Sequence, residues 1–243
     1  MAQLKAETGG GRPPSMPSIA AAELPFETKQ LRAGLAAFLN QPFLSGGGMN
    51  IRLGSVKWGV YAFYDYDNEP IYVGQTKEQI GTRIRRHLTN QRTDAVAMNL
   101  LDPFEAHSVA VWPLVQFEGC TGSDKAAVAH LNALEHAVFQ KLLGQSEFEA
   151  VLNEKDPPLP TIQIQLPDEV RGSIVSAEMS RLRDHPDLRI ARRAMTLAKL
   201  AQVISERKVQ RGLRKTLLVQ AKRLQALAQK RLDHAVDNPD QDD

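Results

Sequence analysis

Glu135 stands where an apolar residue is expected. Val128, Leu131, Val138 and Leu142 recur at intervals of three and four, and Glu135 falls in the same series, four after Leu131 and three before Val138. Burying a carboxylate is costly unless something positive meets it. A divalent metal ion meets that need; so does an arginine, or the side chain sits at the edge of the stripe and reaches solvent. Upstream, Tyr61 and Tyr72 lie in two mirror-like tripeptides, Gly59-Val60-Tyr61 and Tyr72-Val73-Gly74. Their glycines let backbone or substrate approach closely, although hairpin tyrosines also serve simply as packing. Arg83 and His87 are four apart and share one helical face. A guanidinium fork there suits an anion such as phosphate; the bland alternative is one more surface arginine beside Arg85 and Arg86.

These residues need elements to hold them. Trp58 to Tyr64 and Ile71 to Gly74 are rich in aromatic and β-branched residues, and the turn formers Asp65-Tyr66-Asp67-Asn68-Glu69-Pro70 separate them, which predicts a β-hairpin. A helix should follow, with Thr76 as N-cap and Ile80, Ile84 and Leu88 as its apolar stripe. Ser108 to Leu114 alternates and predicts a third strand, which Pro113 places at an edge or ends early. The helix carrying Glu135 runs from about Asp124 to Leu143, capped by Ser123 and ended by Gly144. A short amphipathic helix from about Pro25 to Leu39 and a Gly46-Gly47-Gly48 turn precede the hairpin. Beyond Pro157, Pro158 and Pro160, helix formers predict one helix at about 168–183 and a long helical stretch at about 188–235, bent at Gly212.

Gly59-Val60-Tyr61, ten residues, Tyr72-Val73-Gly74 and then a helix with Arg83 resemble the GIY-YIG nuclease superfamily, with valine for isoleucine in both tripeptides. The resemblance covers roughly 100 residues and implies a metal-dependent endonuclease acting on DNA. It implies that Tyr61, Tyr72 and Arg83 line the active site, with His87 beside them. Glu135 would bind one Mg2+ or Mn2+ per site. An asparagine after the glutamate helix would brace the site: Asn153 fits in kind, and Asn132, inside the helix, is the other candidate. Tyr61, helped by His87, would take the proton of the attacking water, with the split between them open. Tyr72 would hydrogen-bond the phosphate or the water. The expected fold class is α/β in the α+β sense, a small three-stranded, mostly antiparallel sheet flanked by helices, followed by a helical C-terminal region. The expected organisation is a disordered segment at 1–22, an N-terminal helix and linker at 23–56, the nuclease domain at 57–160, a basic helical region at 161–235 and an acidic tail at 236–243.

Charge is unevenly spread. From Arg171 to Arg231 there are 16 Lys and Arg against four Asp and Glu, an excess of 12, whereas the whole chain carries a net charge of +2. Such an excess favours contact with a polyanion; the bland reading is a solvated helical face. The leucine stripe from Leu197 to Leu227 must pack on the nuclease domain, on a neighbouring helix or on a second protomer. One cysteine, Cys120, excludes a disulfide framework and a cysteine-rich zinc site and fits a cytoplasmic setting. No run of about 18 apolar residues marks a membrane span, and no signal pattern opens the chain. The family resemblance implies DNA as the partner, and no membrane is expected. Cutting both strands calls for a homodimer or sequential nicking. A restriction or phage-defence enzyme is favoured over a repair or mobile-element nuclease. A non-catalytic nucleic-acid-binding protein and a helical interaction protein are the competing classes.

Overall fold

The computed structural model describes residues 25–44, 50–89, 101–153, 155–206, 208–209 and 211–237. The expected disordered segment, the triple-glycine turn and residues 238–243 of the acidic tail lie outside the described residues. In chain order the elements are α1 (Phe26–Asn40), β1 (Pro42–Leu44), β2 (Asn50–Arg52), β3 (Gly59–Tyr64), β4 (Pro70–Thr76), α2 (Ile80–Thr89), β5 (Ser108–Pro113), α3 (Lys125–Gln145), β6 (Val170–Ser173), α4 (Ala177–Arg183), α5 (Pro186–Glu206) and α6 (Arg211–Asp237). No described helix is long and apolar enough to cross a membrane.

Four antiparallel strands form the main sheet in the order β4-β3-β5-β6, and β1 pairs with β2 as a separate ribbon. The three expected strands are all present and adjacent. The fourth corrects the reading of 168–183 as one helix. Val170–Ser173 pairs with Ser108–Val111 of β5, and only Ala177–Arg183 is helical. Exposed backbone on β5 supplies partners that outweigh the local helix propensity. Pro113 lies past the last β6 pair and ends β5 without interrupting it.

Each face of the sheet is covered. Tyr61, Phe63, Ile71, Val109 and Val111 face Leu31 and Leu35 of α1 and Ile80, Ile84 and Leu88 of α2. Val60, Ala62, Val73, Ala110 and Trp112 face Leu131, Leu134, Val138 and Leu142 of α3. The strict alternation along β3 follows from its period of two, and both sets are buried because β3 is a central strand. Three helix ends differ from expectation: Gly144 does not end α3, which runs on to Gln145 with Ser146 as its C-cap. Asp124, not Ser123, accepts from the Ala127 amide at 2.9 Å to start α3. Thr76 closes β4 instead of capping α2, which begins at Ile80.

The long C-terminal stretch is two helices, not one bent at Gly212. Leu200 and Ile204 of α5 pack with Leu213 of α6, and Val209 and Leu217 close the cluster. The leucine stripe is thus satisfied by a neighbouring helix, burying apolar surface that neither helix could cover alone.

Basic residues hold this helical pair to the sheet. The β3–β4 turn folds around Asp65, whose Oδ1 accepts from the amides of Asp67 and Glu69, both at 2.9 Å, while Asn68 takes a left-handed φ of 64°. Asp65 Oδ2 accepts from Arg193 at 2.9 Å and from Arg223 at 2.6 Å. Arg189 pairs with Asp67, Arg193 also donates to Glu105 at 2.9 Å, and Arg192 donates to Glu27 at 3.0 Å. Arg171 lies over the Tyr64 ring at 3.5 Å. Much of the positive charge expected to face a polyanion is therefore spent inside the molecule. Desolvation of Glu105 raises its pKa, and Arg193 opposes that shift.

Candidate active site

The site forms at the edge strand β4, at the end of the hairpin away from the Asp65 turn. Tyr61 stands opposite Gly74, and Phe63 opposite Tyr72, so both tyrosines project onto the α2 face. The glycine in the second tripeptide has a steric cause. A Cβ on Gly74 would come within 2.5 Å of the Tyr61 hydroxyl and 2.9 Å of the Tyr72 ring. Gly59 is equally constrained, because a Cβ there would meet the Trp112 carbonyl at 2.8 Å and Ile80 at 3.0 Å. The glycines let the tyrosines and α2 lie directly on the strands.

From α2, His87 adds its ring to this cluster, 5.7 Å from Tyr61 and 5.1 Å from Tyr72 between centroids. Arg83, one turn earlier, is half-buried. Its charge lowers the Tyr61 pKa, and its own pKa is raised because Tyr61, Tyr72 and Glu78 outweigh the opposing effect of burial. Glu78 supports the arginines of α2, lying 4.0 Å from Arg83 and accepting from Arg86 at 2.7 Å. Burial nevertheless dominates at Tyr61, whose phenol is held well above the ordinary tyrosine range, with Tyr72 pushing the same way. Its buried hydroxyl makes no hydrogen bond of ordinary geometry among the described residues.

Glu135 approaches from α3, on the other layer. It is half-buried, and burial raises its pKa to about 7, with Arg83 the charged group that opposes the shift. Among the described residues no hydrogen bond or ion pair engages its carboxylate. The described residues contain no group of three or more His, Cys, Asp or Glu able to enclose a metal. A single carboxylate fits a hard ion such as Mg2+, which keeps most of its water ligands.

Asn153 acts through the backbone. Its Oδ1 accepts from the Val73 amide at 3.1 Å and its Nδ2 donates to the Val73 carbonyl at 2.8 Å. Together with the Leu152 amide, which donates to the Ile71 carbonyl at 2.9 Å, this side chain takes the place of a further strand at the edge of β4, beside Tyr72 and Gly74. Asn132, the other candidate, accepts from Gln75 Nε2 at 3.1 Å and ties α3 to the same strand one turn before Glu135. Gln75 and Glu78 were missed by sequence reasoning. Neither has a distinctive neighbour in the chain; only their cross-element partners mark them.

The structure thus brings Tyr61, Tyr72, Arg83 and His87 together, couples Glu135 to them through the Arg83 charge, and uses Asn153 to steady the strand between. No curated protein and no solved structure matches the chain. Residues 57–145, just over a third of the chain, match the model of the GIY-YIG catalytic domain. That stretch spans both tripeptides, Arg83, His87 and Glu135, and leaves Asn153 and the helical pair outside it. GIY-YIG nucleases are generally dependent on a divalent metal. On the match and the motif together, residues 57–145 belong to the GIY-YIG nuclease superfamily.

Proposed function

We propose that this protein is a divalent-metal-dependent endonuclease that hydrolyses phosphodiester bonds in DNA, with Tyr61, Tyr72, Arg83, His87 and Glu135 as its reacting groups and Asn153 as a positioning residue. The observation that carries this reading is the unmatched Glu135 carboxylate facing the Arg83 charge beside two tyrosines and a histidine. A half-buried carboxylate without a hydrogen-bonded partner loses part of its hydration, and a cation at the scissile phosphate would offset that loss.

Mg2+ or Mn2+ on Glu135 would supply positive charge at the leaving oxygen of the phosphate. Arg83 donates to the non-bridging oxygens, where its planar fork favours the charge that builds in the transition state. Tyr61 holds its own proton in the free protein, because burial raises its pKa. It becomes a base only when positive charge arrives, so His87, in ring contact with it, is the group placed to accept and pass on the proton of the attacking water. Tyr72 orients the water or the phosphate through its hydroxyl.

One site per chain cuts one strand at a time, so two-strand cleavage needs two nicks or two copies of the chain. Within this reading we favour a restriction or defence role over a repair or mobile-element one, because the helical pair adds a second surface to the catalytic domain. The test is cleavage of supercoiled plasmid with Mg2+, with Mn2+ and with EDTA, by wild type and Glu135→Ala. Metal-dependent nicking that vanishes in the variant is the expected result. Nicking that persists in Glu135→Ala would overturn the metal assignment.

A further inference from the structure

We infer that the open basic groove at the start of α6 is the track for the DNA backbone flanking the scissile phosphate. The inference rests on the nuclease reading and adds to it a substrate surface outside residues 57–145.

The groove has a volume of about 840 Å3 and is lined by Asn153, Lys155, Arg211, Arg214, Lys215 and Leu218, among others. Its four cations are all exposed. The lining includes one acidic residue, Asp156, which holds Lys215 at 3.4 Å. Among the described residues no ion pair engages Lys155, Arg211 or Arg214. This sets them apart from Arg189, Arg193 and Arg223, which are buried against Asp65 and Asp67. Three unmatched cations in an open trough describe a site for an extended polyanion, not for a small ion, and phosphate contacts give affinity without sequence preference.

Position decides which part of the substrate lies there. Asn153 is shared: its side chain grips Val73, next to Tyr72, while its carbonyl accepts from Thr216 of α6 at 3.4 Å. The groove therefore begins one residue from the strand that carries Tyr72 and is fixed to it through the same asparagine. A strand whose scissile phosphate meets Arg83 can continue along the β4 edge onto Lys155, Arg211 and Arg214.

The experiment measures binding of a fluorescein-labelled DNA duplex by anisotropy across a salt series. The parent is Glu135→Gln, and the variant adds Lys155→Ala, Arg211→Ala and Arg214→Ala. Each phosphate contact contributes about 0.9 to the slope of log K against log salt, so the triple change should flatten it by about two to three. Affinity at low salt should fall by roughly tenfold or more. Arg181→Ala with Lys199→Ala, exposed charges on α4 and α5, should leave the slope unchanged. A groove variant that binds with the parent's slope and affinity overturns the inference. Wild-type cleavage with Mg2+ is run alongside and judges the nuclease reading separately. Lost slope without any cleavage keeps the groove and removes the nuclease; cleavage with an unchanged slope does the reverse.

Discussion

The two ends of the β3–β4 hairpin treat charge in opposite ways. At the turn, Asp65 is fully matched: two backbone amides hold one oxygen, and Arg193 and Arg223 hold the other. At the far end, Glu135 is left without a bonded partner and Tyr61 has a buried hydroxyl with no ordinary hydrogen bond among the described residues. Here the matched carboxylate of Asp65 holds α5 and α6 to the sheet, although Arg189 Nε and Arg223 Nη1 of the same network are buried without a hydrogen bond. Glu135 and Tyr61 lack such partners, and in the proposed nuclease a bound cation and phosphate would supply them.

The largest effect that tests this contrast is expected at the turn. Asp65→Asn leaves Arg193 and Arg223 facing each other without their shared carboxylate. Removing one partner of a buried ion pair typically costs about 3–5 kcal/mol. Urea denaturation should show a loss of that order, and a loss under about 1 kcal/mol would mean the turn is not the anchor of the helical pair.

At the opposite end the sign should reverse. The folded pKa of Glu135 is about 7, above the usual value of 4.5. The native state therefore binds the proton more tightly than the unfolded chain. The stability this gives is present at low pH and is lost as pH rises through about 7. Without metal, Glu135→Gln should match wild type near pH 4 and be more stable near pH 8, by on the order of 1–3 kcal/mol. Thermal melts in EDTA at the two pH values check this. Added Mg2+ should stabilise wild type alone, and increasingly above pH 7, because the metal needs the ionised carboxylate. A variant less stable than wild type at pH 8 in EDTA would show that the carboxylate is matched after all.

The smallest expected effect sharpens the boundary between the two ends. Asn153→Ala removes two hydrogen bonds to the Val73 backbone, at a stability cost of about 1–2 kcal/mol. Because the brace acts on the strand beside Tyr72, the cleavage rate should fall by about tenfold or more while the Mg2+ concentration for half-maximal activity stays put. A shift in that concentration without a change in rate would instead make Asn153 part of the metal site.

Local pattern was enough for the tripeptides, the hairpin, the α2 face with Arg83 and His87, and the placement of Glu135 in an apolar series. Each of these is set by short-range spacing, two residues along a strand or three to four along a helix, and the chain states it directly. Sequence reasoning also ended the long C-terminal stretch in helices, but it could not break that stretch at Glu206 and Arg211, where the choice between one helix and two depends on whether Leu200 and Ile204 find Leu213. Val170–Ser173 became a strand only because β5 offered an open edge, a fact recorded far away in the chain. The same holds for charge. Sequence counts an excess of 12 positive charges in the C-terminal part, but tertiary structure decides which of them are neutralised by Asp65, Asp67 and Glu105 and which remain at the groove beside Asn153. Spacing along a chain determines which residues share a face; only folding brings together groups more than a hundred residues apart, and electrostatics acts on that final separation.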